Sequence, residues 1–278
     1  MSLPATLTSP APSKCPISRI KNWMSRVLLK ANPSTPPTAK CPLGFDQPSN
    51  SVFVAKAAQE AAQAPVIPGD PAANRLLQEA REAIYHWPPH FPGFCCQLIL
   101  EEEHQAWNGH LRAAHSRDYD LQLQGFSKPA WLRFHIEEFL AHREHPSVSR
   151  MASPTGVEFG DDHRVWGQRI DFLGDKMGSW YRILNRKLTM IGRNYGEHSF
   201  VITIDDHLEC KPGTFAATHY TAYYRDQKTN RIKRVEAFHD SYVQVGTEFL
   251  PSSRRYVETS DDGMISRCIH FRDHQLLS

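Results

Sequence analysis

Two tetrapeptides, Lys14-Cys15-Pro16-Ile17 and Lys40-Cys41-Pro42-Leu43, each set a cysteine between a lysine and a proline. A neighbouring cation favours thiolate, the form that ligates metals or attacks electrophiles, and the proline keeps the thiol out of a helix interior or a central strand. Histidines supply a second set. His135, Glu138, His142 and His145 recur at helical spacing, so two or three of them could reach a metal from one surface, but no H-E-x-x-H pattern accompanies them and a solvated helix face is expected. His219 and His239 lie among aromatic residues on expected strands, where they suit a general base, a ligand to a tetrapyrrole metal, or a core histidine bonded to a neighbour. Asp161-Asp162-His163 and Asp205-Asp206-His207 bring carboxylates beside histidine, yet no G-x-S-x-G elbow goes with them, and both read as loops or strand ends. Strict alternation would set Phe215, His219 and Tyr223 on one face of a strand, with Phe238 and Tyr242 on a neighbour. That aromatic band is the expected wall of a pocket for a planar or lipophilic ligand, and core packing alone explains it equally well.

The two cysteine motifs belong to a tail. Residues 1–70 hold eleven of the 20 prolines and only three acids, Asp46, Glu60 and Asp70, a composition that resists collapse into a core. Ile17, Ile20, Met24, Val27 and Leu28 recur at helical spacing among Arg19, Lys21, Arg26 and Lys30, predicting a short basic amphipathic helix over 17–30. Such a segment suits peripheral contact with an anionic membrane, docking on its own domain, or a transit peptide. The second of two regions is a sheet-rich globular domain over 71–278.

Asp70-Pro71 reads as a helix cap and first helical residue, and Leu76, Leu77, Ala80, Ala83, Ile84 and Trp87 form an apolar stripe up to Pro88-Pro89. From Phe94 the period becomes two, with Cys96, Leu98 and Leu100, a turn at Asn108-Gly109, and then Tyr119, Leu121 and Leu123. A helix is expected over Pro129–His145, with Leu132, Ile136, Phe139 and Leu140 on one face. Strand-like segments fill the rest from Val165 to Phe271, joined by turn-rich connectors such as Gly174-Asp175, Lys211-Pro212-Gly213 and Asp261-Asp262-Gly263. The fold class is α+β: a strongly curved antiparallel β-meander, an open or half barrel, packed with one or two helices. Its concave face is the natural ligand cavity.

With 32 basic and 30 acidic residues the net charge is +2, which gives no global pull toward nucleic acid. The 6 cysteines form no C-x-x-C and no regular framework, so reduced thiols are expected; Cys95 and Cys96 point to opposite faces of a strand. No apolar run reaches the length of a bilayer-spanning helix.

Tyr85-His86-Trp87-Pro88-Pro89-His90-Phe91-Pro92-Gly93-Phe94 resembles the opening of an uncharacterised domain family of cyanobacteria and plastids. Met177 to Ile183, Thr218 to Tyr220, Tyr224 to Asp226 with Lys228-Thr229, and Asp240 to Gly246 with Phe249-Leu250-Pro251 are similar to its later strands, in order. Asn230 stands where that family usually has glycine, and the cysteine-bearing tail lies outside the resemblance. The resemblance implies a photosynthetic host and a sheet-rich fold, and it brings no catalytic residues. The location it implies is the cytoplasm of a bacterium, or the plastid stroma if the N-terminus is a transit peptide.

The two Cys-Pro tetrapeptides also resemble heme-regulatory motifs, which implies ferric heme ligated by Cys15 or Cys41. The function expected is non-enzymatic binding of a lipophilic or tetrapyrrole-like molecule, with Cys15, Cys41, Phe215, His219, Tyr223, Phe238, His239 and Tyr242 as contacts. Two alternatives stand beside it: an enzyme acting on a pigment or lipid with His219 or His239 as acid-base, and an assembly factor that holds a protein partner.

Overall fold

The computed structural model describes residues 67–145, 156–175, 177–195 and 197–277. Helix α1 (Pro71–Glu82) starts as its cap residue dictates: the Asp70 carboxylate accepts from the backbone N–H of Ala72 at 2.7 Å and of Ala73 at 3.1 Å. The helix ends five residues short of the apolar stripe's end at Trp87. Beyond it Ile84 bridges Phe215 in parallel, with Tyr85 N donating to the Phe215 carbonyl (2.8 Å) and Phe215 N to that of Ala83 (2.7 Å). The stripe's last members are buried as extended chain, a state that hydrophobic spacing over so short a run does not distinguish from helix.

Among the described residues twelve strands follow: β1 (Phe94–Glu102), β2 (Gln105–His115), β3 (Asp118–Leu123), β4 (Val157–His163), β5 (Gly167–Phe172), β6 (Trp180–Leu184), β7 (Lys187–Tyr195), β8 (His198–Lys211), β9 (Thr214–Asp226), β10 (Ile232–Val245), β11 (Glu248–Ser260) and β12 (Gly263–Leu276). All strand pairs are antiparallel in one sheet of order β3-β2-β1-β12-β11-β10-β9-β8-β7-β6-β5-β4, open between β3 and β4. Helix α2 (Pro129–Arg143) lies in the chain between these two edge strands. Asn108-Gly109 is not a turn. It sits inside β2, where a Cβ on Gly109 would collide with the carbonyl oxygen of Gln122 in β3; the turn falls at Glu103, which has φ 54°.

The sheet curls around α2. The Phe139 ring lies 6.3 Å from Phe271 of β12, while Phe134 and His142 of the same helix line a space bounded opposite by Leu188 and Ile191 of β7. In sheet order β12 and β7 stand five strands apart, roughly 24 Å along a flat sheet at ordinary strand spacing, about twice the width of a helix. Only a bent sheet can present both to one helix. Three zones result. Helix α1 seals β4–β6, with Ala73, Leu77 and Ala80 against Val157, Ile170, Tyr181 and Ile183. Helix α2 seals β1–β3 and β12, with Leu132, Ile136 and Leu140 against Leu98, Leu100, Leu111 and Leu121. Over β7–β10, between them, lies a cavity.

Candidate functional site

The cavity measures about 250 Å³. Its sheet side carries Ile191 of β7, Ile202 and Ile204 of β8, Ala222 and Tyr224 of β9, and Phe238 of β10. Its helix side carries Phe134 and Glu138 of α2, four residues apart, with Ala141 and His142 three and four residues further on the same face. Ala80 and Ala83 at the end of α1, with Ile84 and His86 of the connector, close a third side.

Two offset irregularities decide which side chains enter. Between Ile204 and Asp206 an extra residue sits on β8, and between His207 and Asp206 an extra one sits on β9, opposite. Each bulge shifts the inward parity by one. Tyr220, Ala222 and Tyr224 therefore face inward on one side of it, and Phe215 and Ala217, with His207 of β8, on the other. Strict alternation from Phe215 fails for this reason. His219 and Tyr223 stand on the outer face, as does His239, whose neighbours Phe238 and Asp240 both line the cavity. On that outer face the rings of His219 and His239 lie 3.8 Å apart, with an Asp206 carboxylate oxygen 3.6 Å from His219 Nδ1. Among the described residues no group of three or more histidine, cysteine or carboxylate side chains is placed to hold a metal ion.

Of the eight residues predicted from sequence, Phe215 and Phe238 line the cavity. Tyr242 braces its wall: its hydroxyl accepts from Arg143 Nη2 at 2.7 Å and lies 3.4 Å from the Ala217 carbonyl oxygen. Cys15 and Cys41, like the basic segment 17–30, lie outside the described residues. Cys95, Cys96, Cys210 and Cys268 are free thiols; burial raises the pKa of Cys96 to about 12 and that of Cys210 to about 11.

The floor holds charges that sequence reasoning missed. Arg254 of β11 grips Asp240 of β10 with two hydrogen bonds, Nε to Oδ1 at 2.8 Å and Nη2 to Oδ2 at 2.7 Å, and both residues are only 2 % exposed. Arg254 Nη2 also donates to the Tyr220 hydroxyl at 2.8 Å, and Nη1 lies 3.6 Å from the Glu138 carboxylate of α2. Beside it, Glu236 accepts from the hydroxyls of Tyr224 (2.7 Å) and Tyr256 (3.0 Å) and lies 3.5 Å from Arg234 Nε, whose guanidinium covers the Tyr224 ring at 4.2 Å. Burial alone would lower the pKa of Arg254, but Asp240, Tyr220 and Glu138 more than offset it and hold the guanidinium charged. Burial raises Tyr220 and Tyr224 well above the usual phenol range. The signal for this belt is the alternation Arg234, Glu236, Phe238, Asp240 on one face of β10. It becomes legible only with the register, which sets Asp240 opposite Arg254.

Glu138 and His135 correct a second expectation. The helix face expected to be solvated is buried at His135 (1 % exposed) and Glu138 (6 %), where the curled sheet covers α2, while His142 is part-exposed and His145 exposed. His135 packs against the rings of Trp131 (4.3 Å) and Tyr256 (5.0 Å).

One end of the cavity is lined by cations and neutral histidines. Arg186 and Lys187, His207, and the part-exposed His86 and His142 gather there with Phe215. Lys187 Nζ sits 4.2 Å from the Phe215 ring centre. Burial, reinforced by the charge of Arg143, lowers His86 to about 4 and His142 to about 3; burial and Lys187 lower His207. These imidazoles are uncharged at neutral pH.

Among the described residues no helix is long and apolar enough to cross a membrane. No curated protein matches the chain. The sequence profile of a family described as a protein of unknown function (DUF3386) matches residues 69–277. That span covers most of the 278 residues, and the chain belongs to this family.

Proposed function

We propose that the chain is a non-enzymatic binding protein that holds a lipophilic small molecule between α2 and strands β7–β10. The observation that carries this reading is a cavity of about 250 Å³ whose wall is largely aliphatic and aromatic, at the junction of helix and curled sheet. The apolar lining of this hollow forgoes dispersion contacts that a lipophilic molecule would supply. Phe134, Phe215 and Phe238 offer flat faces, so a planar tetrapyrrole-like molecule belongs to the same ligand class as an aliphatic one. The family resemblance supports a photosynthetic host.

A catalytic use of the same space would draw on His86, His142 or His207, the histidines that face it. The charged floor is better suited to a fixed scaffold, because Arg254 and Asp240 already satisfy one another.

Titration of the full-length, delipidated protein with N-phenyl-1-naphthylamine, an uncharged lipophilic fluorophore, tests the reading. Saturable enhancement is expected, lost in Ala217→Trp and in Ile204→Trp, which fill the cavity from two different strands. Thermal unfolding of both variants identifies misfolding. Unsaturable fluorescence in the wild type, or unchanged binding in both folded variants, overturns the reading.

A further inference from the structure

The cationic end of the cavity says more about what enters it. Arg186 in the β6–β7 turn and Lys187 at the start of β7 both line the space. Among the described residues neither forms an ion pair, whereas Arg254 and Arg143 deeper in the site are engaged by Asp240 and Tyr242. The turn itself is left-handed at two successive residues, Asn185 at φ 51° and Arg186 at φ 65°. Asparagine accepts that conformation readily and arginine does not, so a long cationic side chain occupies a position where glycine or asparagine would cost less.

The neighbours fit an arginine that reaches over the entrance. Its Nη1 passes 3.5 Å from where a Cβ on Gly213 would stand, an ordinary contact distance, so the side chain reaches the β8–β9 turn. Lys187 is held over the Phe215 ring beside His207. Of the carboxylates near this end among the described residues, Glu144 is bound by the Ser116 hydroxyl at 3.0 Å and by the Ser116 backbone N–H, and Glu209 accepts from the Gly213 backbone N–H at 2.9 Å. The cavity therefore runs from cations without an ion-pair partner at the exposed end to Ile191, Ile202, Ile204 and Phe238 within, where the charges of the floor, Arg254 and Asp240, are paired with one another. The suppressed protonation of His86, His142 and His207 is consistent with that positive end, since Arg143 or Lys187 contributes to each after burial.

We infer that the ligand is an amphiphile with an anionic head, a carboxylate or phosphate held by Arg186 and Lys187, and an apolar body lying along Ile191, Ile202, Ile204 and Phe238. This rests on the lipophilic-binding reading above and specifies which end of the molecule is read and by what.

The test uses the full-length protein loaded with N-phenyl-1-naphthylamine and measures displacement at pH 8 by dodecanoate, dodecyl phosphate and dodecanol, with acetate and inorganic phosphate as tail-less controls. Either charged amphiphile is expected to displace the probe at about one tenth of the dodecanol concentration, the usual worth of a charge-assisted hydrogen bond. In Arg186→Gln/Lys187→Gln that preference, taken as the ratio to dodecanol within the same variant, is expected to fall to within about threefold. The preferred head distinguishes carboxylate from phosphate, and displacement by a tail-less anion would point to a free anion site and overturn the inference. Equal displacement by dodecanol and the charged amphiphiles in the wild type, or a preference that survives the double substitution, also overturns it while leaving the cavity reading intact. Failure of the probe itself to bind removes the parent reading.

Discussion

Beneath α2, inward side chains of β1, β2 and β12 such as Leu98, Leu100, Leu111, Ile269 and Phe271 are at most 3 % exposed. Across the cavity, Ile191, Ile202 and Ile204 hold the corresponding inward positions of β7 and β8 and remain partly accessible. Both regions use the same strand chemistry. The difference lies in what stands opposite. Helix α2 presents Leu132, Ile136 and Leu140 to the first set, and a sparser face with Glu138, Ala141 and His142 to the second. An apolar strand face thus becomes core or cavity wall according to the volume its partner supplies, and Ala141, Ala217 and Ala222 keep the second region hollow by being small.

The largest test of that contrast acts at the boundary. Arg254→Met should cost about 3–5 kcal/mol in chemical denaturation, because it strands a buried Asp240 carboxylate. Arg254→Met/Asp240→Leu should recover most of the loss; a double variant as unstable as the single would mean that the pair is needed for shape rather than charge balance. Next, Leu98→Ala in the sealed half should cost about 3 kcal/mol and Ile204→Ala in the hollow half about 1 kcal/mol, since Ile204 leaves less packed surface behind. Equal costs would show that the hollow closes in solution.

Acid should act on the hollow half. In the folded state His86 titrates near 4 and His142 near 3, both below the unfolded value of about 6.5, so the unfolded chain binds protons first as pH falls. Stability is then full above pH 6.5 and declines toward pH 4, by roughly 2 kcal/mol after allowance for their partial exposure. His142→Phe should flatten the decline of the unfolding midpoint; an unchanged slope would assign it to other groups. Burial is the main cause of both low values, and Arg143, Arg254, His86 and His145 are the charged or titratable neighbours that add to it. The smallest effect is expected for Tyr242→Phe, about 1 kcal/mol, through loss of the hydroxyl that accepts from Arg143. A neutral result would mean that the brace between α2 and the wall carries no net stability.

Much of the strand order was legible in the residues. The segment Ile232–Val245 coincides with β10, and turns at Lys211-Pro212-Gly213 and Asp261-Asp262-Gly263 separate strands as their composition requires. Strand β4 was not legible, because Val157–His163 at the sheet edge is buried only at Val157 and shows no apolar alternation. The candidate site was half legible. Phe215 and Phe238 carry the aromatic signal, but it misplaced His219 and Tyr223, since bulges leave no composition mark in β8 or β9.

By itself the sequence determined the sheet-rich class, helices α1 and α2 and most strand limits of the described residues, because period, caps and turn residues act locally. Only the tertiary structure decided which face of each strand meets the cavity, which charges are buried in pairs, and where the cations gather. Those properties depend on register and on the curl that wraps the sheet around α2, and both arise from contacts between residues far apart in the chain, such as Glu138 with Arg254.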